Sequence, residues 1–331
     1  MKYAILGAAH GHVFTFAEHM AKAGWELACI LQDQEENSRR LSEEYGAPLV
    51  EGVSSVLKQG ITVAGCFGPG NERIGMIRAC AEYGVHVMSD KPLVVNKKDF
   101  RILEDILTNG RIQVGALFTL RFQPSVRALK ELLEQGKLGK LISIEILNPH
   151  KLTPWKRPEW HFSPDQAGGV AADLFTHSVD LFHWLSNRSE ILAYNSFITK
   201  SILPEKPNFY DFASASLRTE DGISGYFRVD WHMPQAHWNW GDVRIFCVGS
   251  NGCAELRASG DPLNRREMLI LYSENEETKE IPLPDYTEDE TSDFLNRIAG
   301  QPCIVTHEDI LHACQISLAL EDKAVRQNRL L

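Results

Sequence analysis

The chain has little of what marks a secreted, membrane-spanning or nucleic-acid-binding protein. Its seven cysteines (29, 66, 80, 247, 253, 303 and 314) form no CxxC pair and are odd in number. That argues against a disulfide framework or a zinc knuckle and for reduced thiols. No apolar stretch reaches the roughly 20 residues of a membrane helix. The longest uncharged run, Tyr3 to Ala17, is broken by two glycines and two histidines. Only Lys2 precedes that run and no small-residue cleavage site follows it, so it does not read as a secretory leader. Basic residues are outnumbered, 34 against 44 acidic, for a formal charge of −10. Such a balance excludes a broad surface for nucleic-acid phosphates or anionic lipids. With 44% hydrophobic and 24% charged residues, the composition is neither disordered nor of low complexity. The expectation is a soluble cytoplasmic protein, and 331 residues at roughly 150 per domain give about two domains.

What is present changes character partway along. The first part alternates short apolar strands (3–6, 26–31, 63–67, 85–88, 113–117) with helical stretches (13–23, 35–45, 73–82, 98–107). Strands alternating with helices over short loops imply βαβ units and a parallel sheet with helices on both faces. The second part has strands at 141–147, 191–198, 212–217, 223–231, 243–248 and 268–272 with no helix after each one. Its helices are expected at 171–185 and 308–326, and Thr219-Glu-Asp-Gly222 is a hairpin turn signal. The fold class read from this is an α/β Rossmann domain with a parallel sheet over residues 1–118. An α+β domain with a large mixed or antiparallel sheet follows over 119–331. No Gly/Ser linker separates them, so the domains are expected to abut.

Four stretches carry chemistry. Ile5-Leu-Gly-Ala-Ala-His-Gly-His12 joins the first strand to the first helix, where backbone N–H groups at a helix N-terminus hold a pyrophosphate. Only Gly7 matches the usual glycine pattern of 7, 9 and 12. Ala9 and His12 depart from it, while Gly11 adds a flexible position. The next strand ends in Leu31-Gln-Asp-Gln-Glu-Glu36, where Gln32 or Asp33 is placed to hold a ribose and the negative charge disfavours a 2′-phosphate. Val85-His-Val-Met-Ser-Asp-Lys-Pro92 sets Asp90 and Lys91 past the end of a strand, the edge along which open α/β sheets bind ligands. Gly168-Gly-Val-Ala-Ala-Asp-Leu-Phe-Thr-His177 spaces Asp173 and His177 four apart on one helix face.

Taken together, these stretches resemble the Gfo/Idh/MocA oxidoreductases over nearly the whole length. Asp90-Lys91-Pro92 stands where that family has Glu-Lys-Pro, and Trp160…Gly168-Gly169…Asp173…His177 matches its Trp-Arg…Gly-Gly…Asp…His run. Asn251-Gly252 with the strand after it resembles the family's late turn. The resemblance implies an NAD(P)-dependent dehydrogenase or reductase acting on a secondary hydroxyl of a sugar, polyol or related small molecule. His177 would be the acid/base, Asp173 its partner, and Lys91 a contact for both nicotinamide and substrate hydroxyl. Such chemistry needs a group titrating near neutrality and a cation beside the forming alkoxide. Gly7, Ala9, His10, Gly11, His12, Gln32, Asp33, Asp90 and Lys91 would hold NAD or NADP, with NAD favoured. Gly68, Pro69 and Asn71 resemble the family's loop over the nicotinamide ribose. Trp160 would touch substrate, and His161 stands where the family often has Arg.

Alternatives are a catalytically silent NAD(P)-binding regulator of the same fold and an NAD-assisted glycosidase. Trp155, Trp160, Trp231, Trp238 and Trp240 are candidates for stacking on sugar rings. His150, His161, His183, His232 and His237 fit no zinc spacing, so no metal is expected. The second sheet is expected to leave one face uncovered, and the family resemblance implies that this face pairs subunits into a homodimer or homotetramer.

Overall fold

The computed structural model describes residues 1–33, 36–258, 261 and 263–329. The chain forms two compact units, one of residues 1–118, 165–168 and 288–314, the other of 119–164, 169–287 and 315–331. The first unit therefore takes two short segments that the expected division at 118 assigns to the second domain.

The first unit is built on β1 (Lys2–Ile5), β2 (Glu26–Leu31), β3 (Leu49–Val50), β4 (Val63–Cys66), β5 (His86–Ser89) and β6 (Val114–Ala116). All pair in parallel, in the order β3-β2-β1-β4-β5-β6. Helices α1 (His12–Lys22), α2 (Glu36–Tyr45), α3 (Val53–Leu57), α4 (Gly70–Tyr83) and α5 (Lys97–Asn109) link them. Residues Gln34 and Glu35, where the second helix was expected to start, lie outside the described residues. In α1 the apolar positions Val13, Phe16, Ala17 and Met20 fall on one face and are fully buried against the sheet, as helical spacing requires. Asn96 caps α5 by accepting the Asp99 N–H at 2.9 Å, and Gly110 ends it in the left-handed region. The strand order reverses between β1 and β4, so the loops after β1, β4 and β5 lie side by side at the carboxyl edge. That is the switch point where open α/β sheets bind ligands.

The second unit starts with α6 (Pro124–Glu134) and β7 (Leu141–Pro149). A short helix of the first unit, α7 (Pro164–Ala167), precedes α8 (Gly169–Leu185). Then come β8 (Ile191–Lys200), β9 (Phe212–Thr219), β10 (Ser224–Asp230), β11 (Arg244–Gly249), β12 (Gly252–Arg257), β13 (Met268–Ser273) and β14 (Lys279–Glu280). The chain ends with α9 (Glu290–Ile298) of the first unit, α10 (His307–Asp322) and β15 (Val325–Asn328). The nine strands form a mixed sheet in the order β14-β13-β12-β11-β7-β10-β9-β8-β15, parallel only at β7–β10 and β8–β15. The last helix, expected to run to Arg326, ends at Asp322. Val325–Asn328 pairs instead with β8, whose edge supplies the partners that a longer helix would forgo.

Nearly every residue of α8 is buried. Phe175 and Phe182 meet Phe227 of β10 with ring centroids 6.0 and 5.5 Å apart. A Cβ at Gly225 would lie 2.8 Å from the Phe182 ring, so this glycine makes the room for it. Asp180, which continues the face of Asp173 and His177, is held by Arg121 at 2.9 and 2.6 Å with both side chains buried. The opposite face of the sheet presents Phe197 and Tyr226, each about half exposed.

Candidate active site

The turn after β1 is shaped by Gly7. Its φ is +115°, and a Cβ there would meet Gly68 N and Cα at 3.2 and 3.3 Å. Both backbone angle and space thus require glycine. Gly7, Ala9, Asp33, Gly68, Pro69 and Arg73 line a cavity of about 220 Å³. A backbone-walled cradle at the switch point, with a carboxylate at its rim, fits the pyrophosphate and ribose of a dinucleotide. The methyl of Ala9 forms part of the wall. Gly11 precedes α1 at φ −63°, so its position makes no demand for glycine. Gln32 is exposed, its N–H donating to Val50 O at 2.8 Å. Asn71 is exposed on the first turn of α4 and lines a separate cavity of about 430 Å³ with Ile74, Gly75 and Ile102.

Asp90 organises this half of the site. It is 1% exposed, and His10 Nδ1 lies 3.2 Å from its Oδ2 and His12 Nδ1 3.0 Å from its Oδ1. The Lys91 N–H donates to Oδ1 at 2.8 Å, and Arg73 Nη2 lies 3.5 Å from Oδ2. Arg73, 2% exposed, also donates to Gly68 O (2.9 Å) and Pro92 O (2.8 Å), tying the loops after β4 and β5 together. Burial works to raise the Asp90 carboxyl, but His10, His12 and Arg73 outweigh it and hold the group well below the usual carboxylate range. Burial pushes the His10 imidazole down to about 3 against the pull of Asp90. The ligand-type atoms of His10, His12 and Asp90 lie within 4.8 Å of one another. Arg73, however, already gives that carboxylate a permanent cation, which a metal ion would have to tolerate at close range.

In the second unit α8 carries Asp173, half-buried, and His177, 7% exposed, one turn apart. Glu321 of α10 accepts from the Ala171 and Ala172 N–H groups at 2.8 and 3.3 Å, capping the N-terminus of α8. A Cβ at Gly169 would lie 2.8 Å from that carboxylate, so glycine is needed for the approach. His161 is buried edge-on to Trp231 at 5.2 Å. Trp160 is half-buried, and its Nε1 has no hydrogen-bond partner among the described residues.

The structure thus gathers Gly7, Ala9, Asp33, Gly68 and Pro69 at one cavity, and His10, His12, Asp90 and Lys91 beside it. Gln32 and Asn71 stand apart from that cavity. Two cations escaped the sequence reading, Arg73 and Arg157. Arg73 left a signal, because a cation near the first turn of a helix opposes the macrodipole and implies a nearby anion. Arg157 left none.

A doubly wound parallel sheet with a glycine turn at its switch point is the framework of dinucleotide-binding domains. The pattern of the oxidoreductase family with an NAD-binding Rossmann fold matches residues 1–115, and that of the Gfo/Idh/MocA C-terminal domain matches 126–255. The chain belongs to the Gfo/Idh/MocA family. It is 29% identical over 157 residues to levoglucosan dehydrogenase of Pseudarthrobacter phenanthrenivorans, covering 46% of this chain and 40% of that protein. Identity to the myo-inositol dehydrogenase Hyg17 of Streptomyces leeuwenhoekii is 21% over 248 residues, covering 74% of this chain and 73% of that one. Three of the relatives it matches are spanned over only 34%, 40% and 36% of their lengths. A solved structure from Erwinia carotovora atroseptica shares the fold with a TM-score of 0.89 at 21% identity, over 98% of this chain and 99% of that one. No helix among the described residues is long and apolar enough to cross a membrane, and all seven cysteines are unbridged.

Proposed function

We propose that the protein is an NAD(P)-dependent dehydrogenase or reductase that moves a hydride to or from a secondary hydroxyl of a sugar, polyol or related small molecule in the cytoplasm. The observation that carries this is the cradle at Gly7, closed against Gly68 and rimmed by Asp33. Asp33 favours NAD, because a carboxylate there repels a 2′-phosphate. Gly7, Ala9, Gly68, Pro69 and Asp33 would hold the dinucleotide, with His10, His12, Asp90 and Lys91 beside it. The nicotinamide, when bound, supplies the hydride chemistry.

His177 accepts the hydroxyl proton in the oxidative direction, and Asp173 one turn before it stabilises the resulting imidazolium. Lys91 offers an ammonium to the oxygen on which charge develops. The exposed Phe197 and Tyr226 face pairs subunits into a homodimer or homotetramer.

A panel of sugars and polyols, followed by nicotinamide absorbance, tests the reading. Lys91→Ala and His177→Ala should each lower turnover by about 10²- to 10⁴-fold while leaving NADH affinity within a few-fold. Near-normal turnover in either variant removes that residue's role. Tight NADH binding with no turnover on any substrate turns the reading towards a silent regulator of the same fold.

A further inference from the structure

Arg157 follows a single 3-10 turn, Pro154–Lys156, and enters an aromatic enclosure in the second unit. Its guanidinium carbon lies 5.0 Å from the ring centre of Trp231 and 4.8 Å from that of Trp240. His150 packs edge-on against both indoles, at 5.6 and 6.3 Å, so the rings that hold the guanidinium are themselves held. Nε donates to Leu152 O at 3.1 Å, which fixes the plane of the fork. Its two terminal amino groups have no hydrogen-bond partner among the described residues. Asp173 is the carboxylate whose charge reaches this cation.

Stacked indoles stabilise the faces of a guanidinium and leave only its edge for hydrogen bonding. An immobilised fork with two unused amino groups matches the two oxygens of a carboxylate, the planar acceptor that takes a bidentate pair of N–H bonds. A neutral polyol meets that edge with hydroxyls, whose hydrogen bonds to a guanidinium are weaker than those of an ionised carboxylate. Trp240 is 45% exposed, so indole surface remains beside the fork for the apolar face of a sugar ring.

We propose that Arg157, clamped between Trp231 and Trp240, is a specificity-determining residue that binds the carboxylate of a sugar acid. This rests on the dehydrogenase reading of the site but is tested apart from it. The two flanking indoles make binding visible by tryptophan fluorescence without any turnover. D-glucuronate and D-glucose, titrated into the native protein, should differ at least tenfold in affinity in favour of the acid. R157Q should bring the two affinities together, and R157K, which keeps the charge but not the fork, should restore only part of the gap.

Equal affinities in the native protein overturn the proposal whether or not R157Q folds, and so does a preference that survives R157Q. Turnover measured on the same pair separates the two readings. A neutral sugar or polyol oxidised with no preference for acids removes the carboxylate site and leaves the dehydrogenase standing. Acid-selective binding with no nicotinamide change on any substrate does the reverse.

Discussion

Each unit buries a carboxylate beside an imidazole, and the two pairs behave in opposite ways. Asp90 is 1% exposed and lies 3.2 Å from His10, whose imidazole falls to about 3. Asp211 is fully buried and lies 2.7 Å from His232 Nε2, and that hydrogen bond raises the His232 imidazole above its ordinary value. The difference lies first in burial, which is the largest influence on His10 and pushes it down, whereas for His232 the hydrogen bond to Asp211 outweighs burial. What else each carboxylate holds adds to this. Asp90 serves His12, Arg73 and the Lys91 N–H as well, and the charges of His12, Arg73 and Lys91 all disfavour a proton on His10. The other hydrogen bonds of Asp211 come from the neutral backbone N–H groups of Ser201 and Ile202, at 2.7 and 3.0 Å. The nearby Lys200 ammonium spends its hydrogen bonds on the carbonyls of Ile202, Leu203, Lys206 and Phe209. A carboxylate raises a neighbouring histidine only where its pull exceeds the cost of burying the charged ring and the repulsion of other cations nearby.

The largest test of that contrast is to delete the two carboxylates. Asp90→Ala leaves Arg73, 2% exposed, as an uncompensated buried cation, and should cost about 3–5 kcal/mol in urea unfolding. Adding Arg73→Met to that variant should recover most of the loss, because the orphaned charge goes with it. Equal stability of the single and double variants would show that the Arg73 charge is not what Asp90 compensates.

Asp211→Ala removes no permanent charge partner of the Arg73 kind, and His232, about a third exposed, can rehydrate. What remains is two backbone N–H groups without acceptors, for which about 1–3 kcal/mol is expected. A loss as large as that of Asp90→Ala would erase the distinction between the two pairs.

Neither pair was legible in the sequence, because each joins positions well separated along the chain. The alternation of strand and helix through residue 118 is a local pattern, and α1 buries Val13, Phe16, Ala17 and Met20 as their spacing requires. The turn at Thr219 to Gly222 is equally local, with Gly222 at φ +82°. The carboxyl edge follows from strand order, so Gly7, Gly68 and Asp90 were legible as one locus. Their partners were not: His12 lies 78 residues from Asp90, and Arg73 lies 17 residues from it on the intervening helix. The cation clamp joins Arg157 to Trp231 and Trp240 across three separate segments, and no periodicity encodes that. The misplaced end of α10 has the same origin, since β15 exists only because β8 offers it an edge.

The smallest effect is the pH dependence of the two histidines, and its sign is the sharpest part of the contrast. His232 has a raised folded value, so its contribution to stability is full below the ordinary 6.5 and disappears as pH rises through the raised value. His10 runs the other way. The unfolded imidazole takes a proton as pH falls below 6.5 while the folded one does not until about 3, so stability drains away on the acid side between those limits. Against the native protein, His232→Gln should therefore lose most in mildly acidic buffer and least in alkaline buffer. The expected loss is below about 1 kcal/mol, because the pair is partly solvated. His10→Gln should close on the native protein, or pass it, as the buffer is made more acidic. Imidazole proton shifts followed by NMR check the same assignment directly, with His232 titrating above 6.5 and His10 staying neutral across the mildly acidic range. If both rings titrated upward together, the pull of Asp90 on His10 would exceed the cost of burying the charged ring, and the contrast between the two pairs would fail.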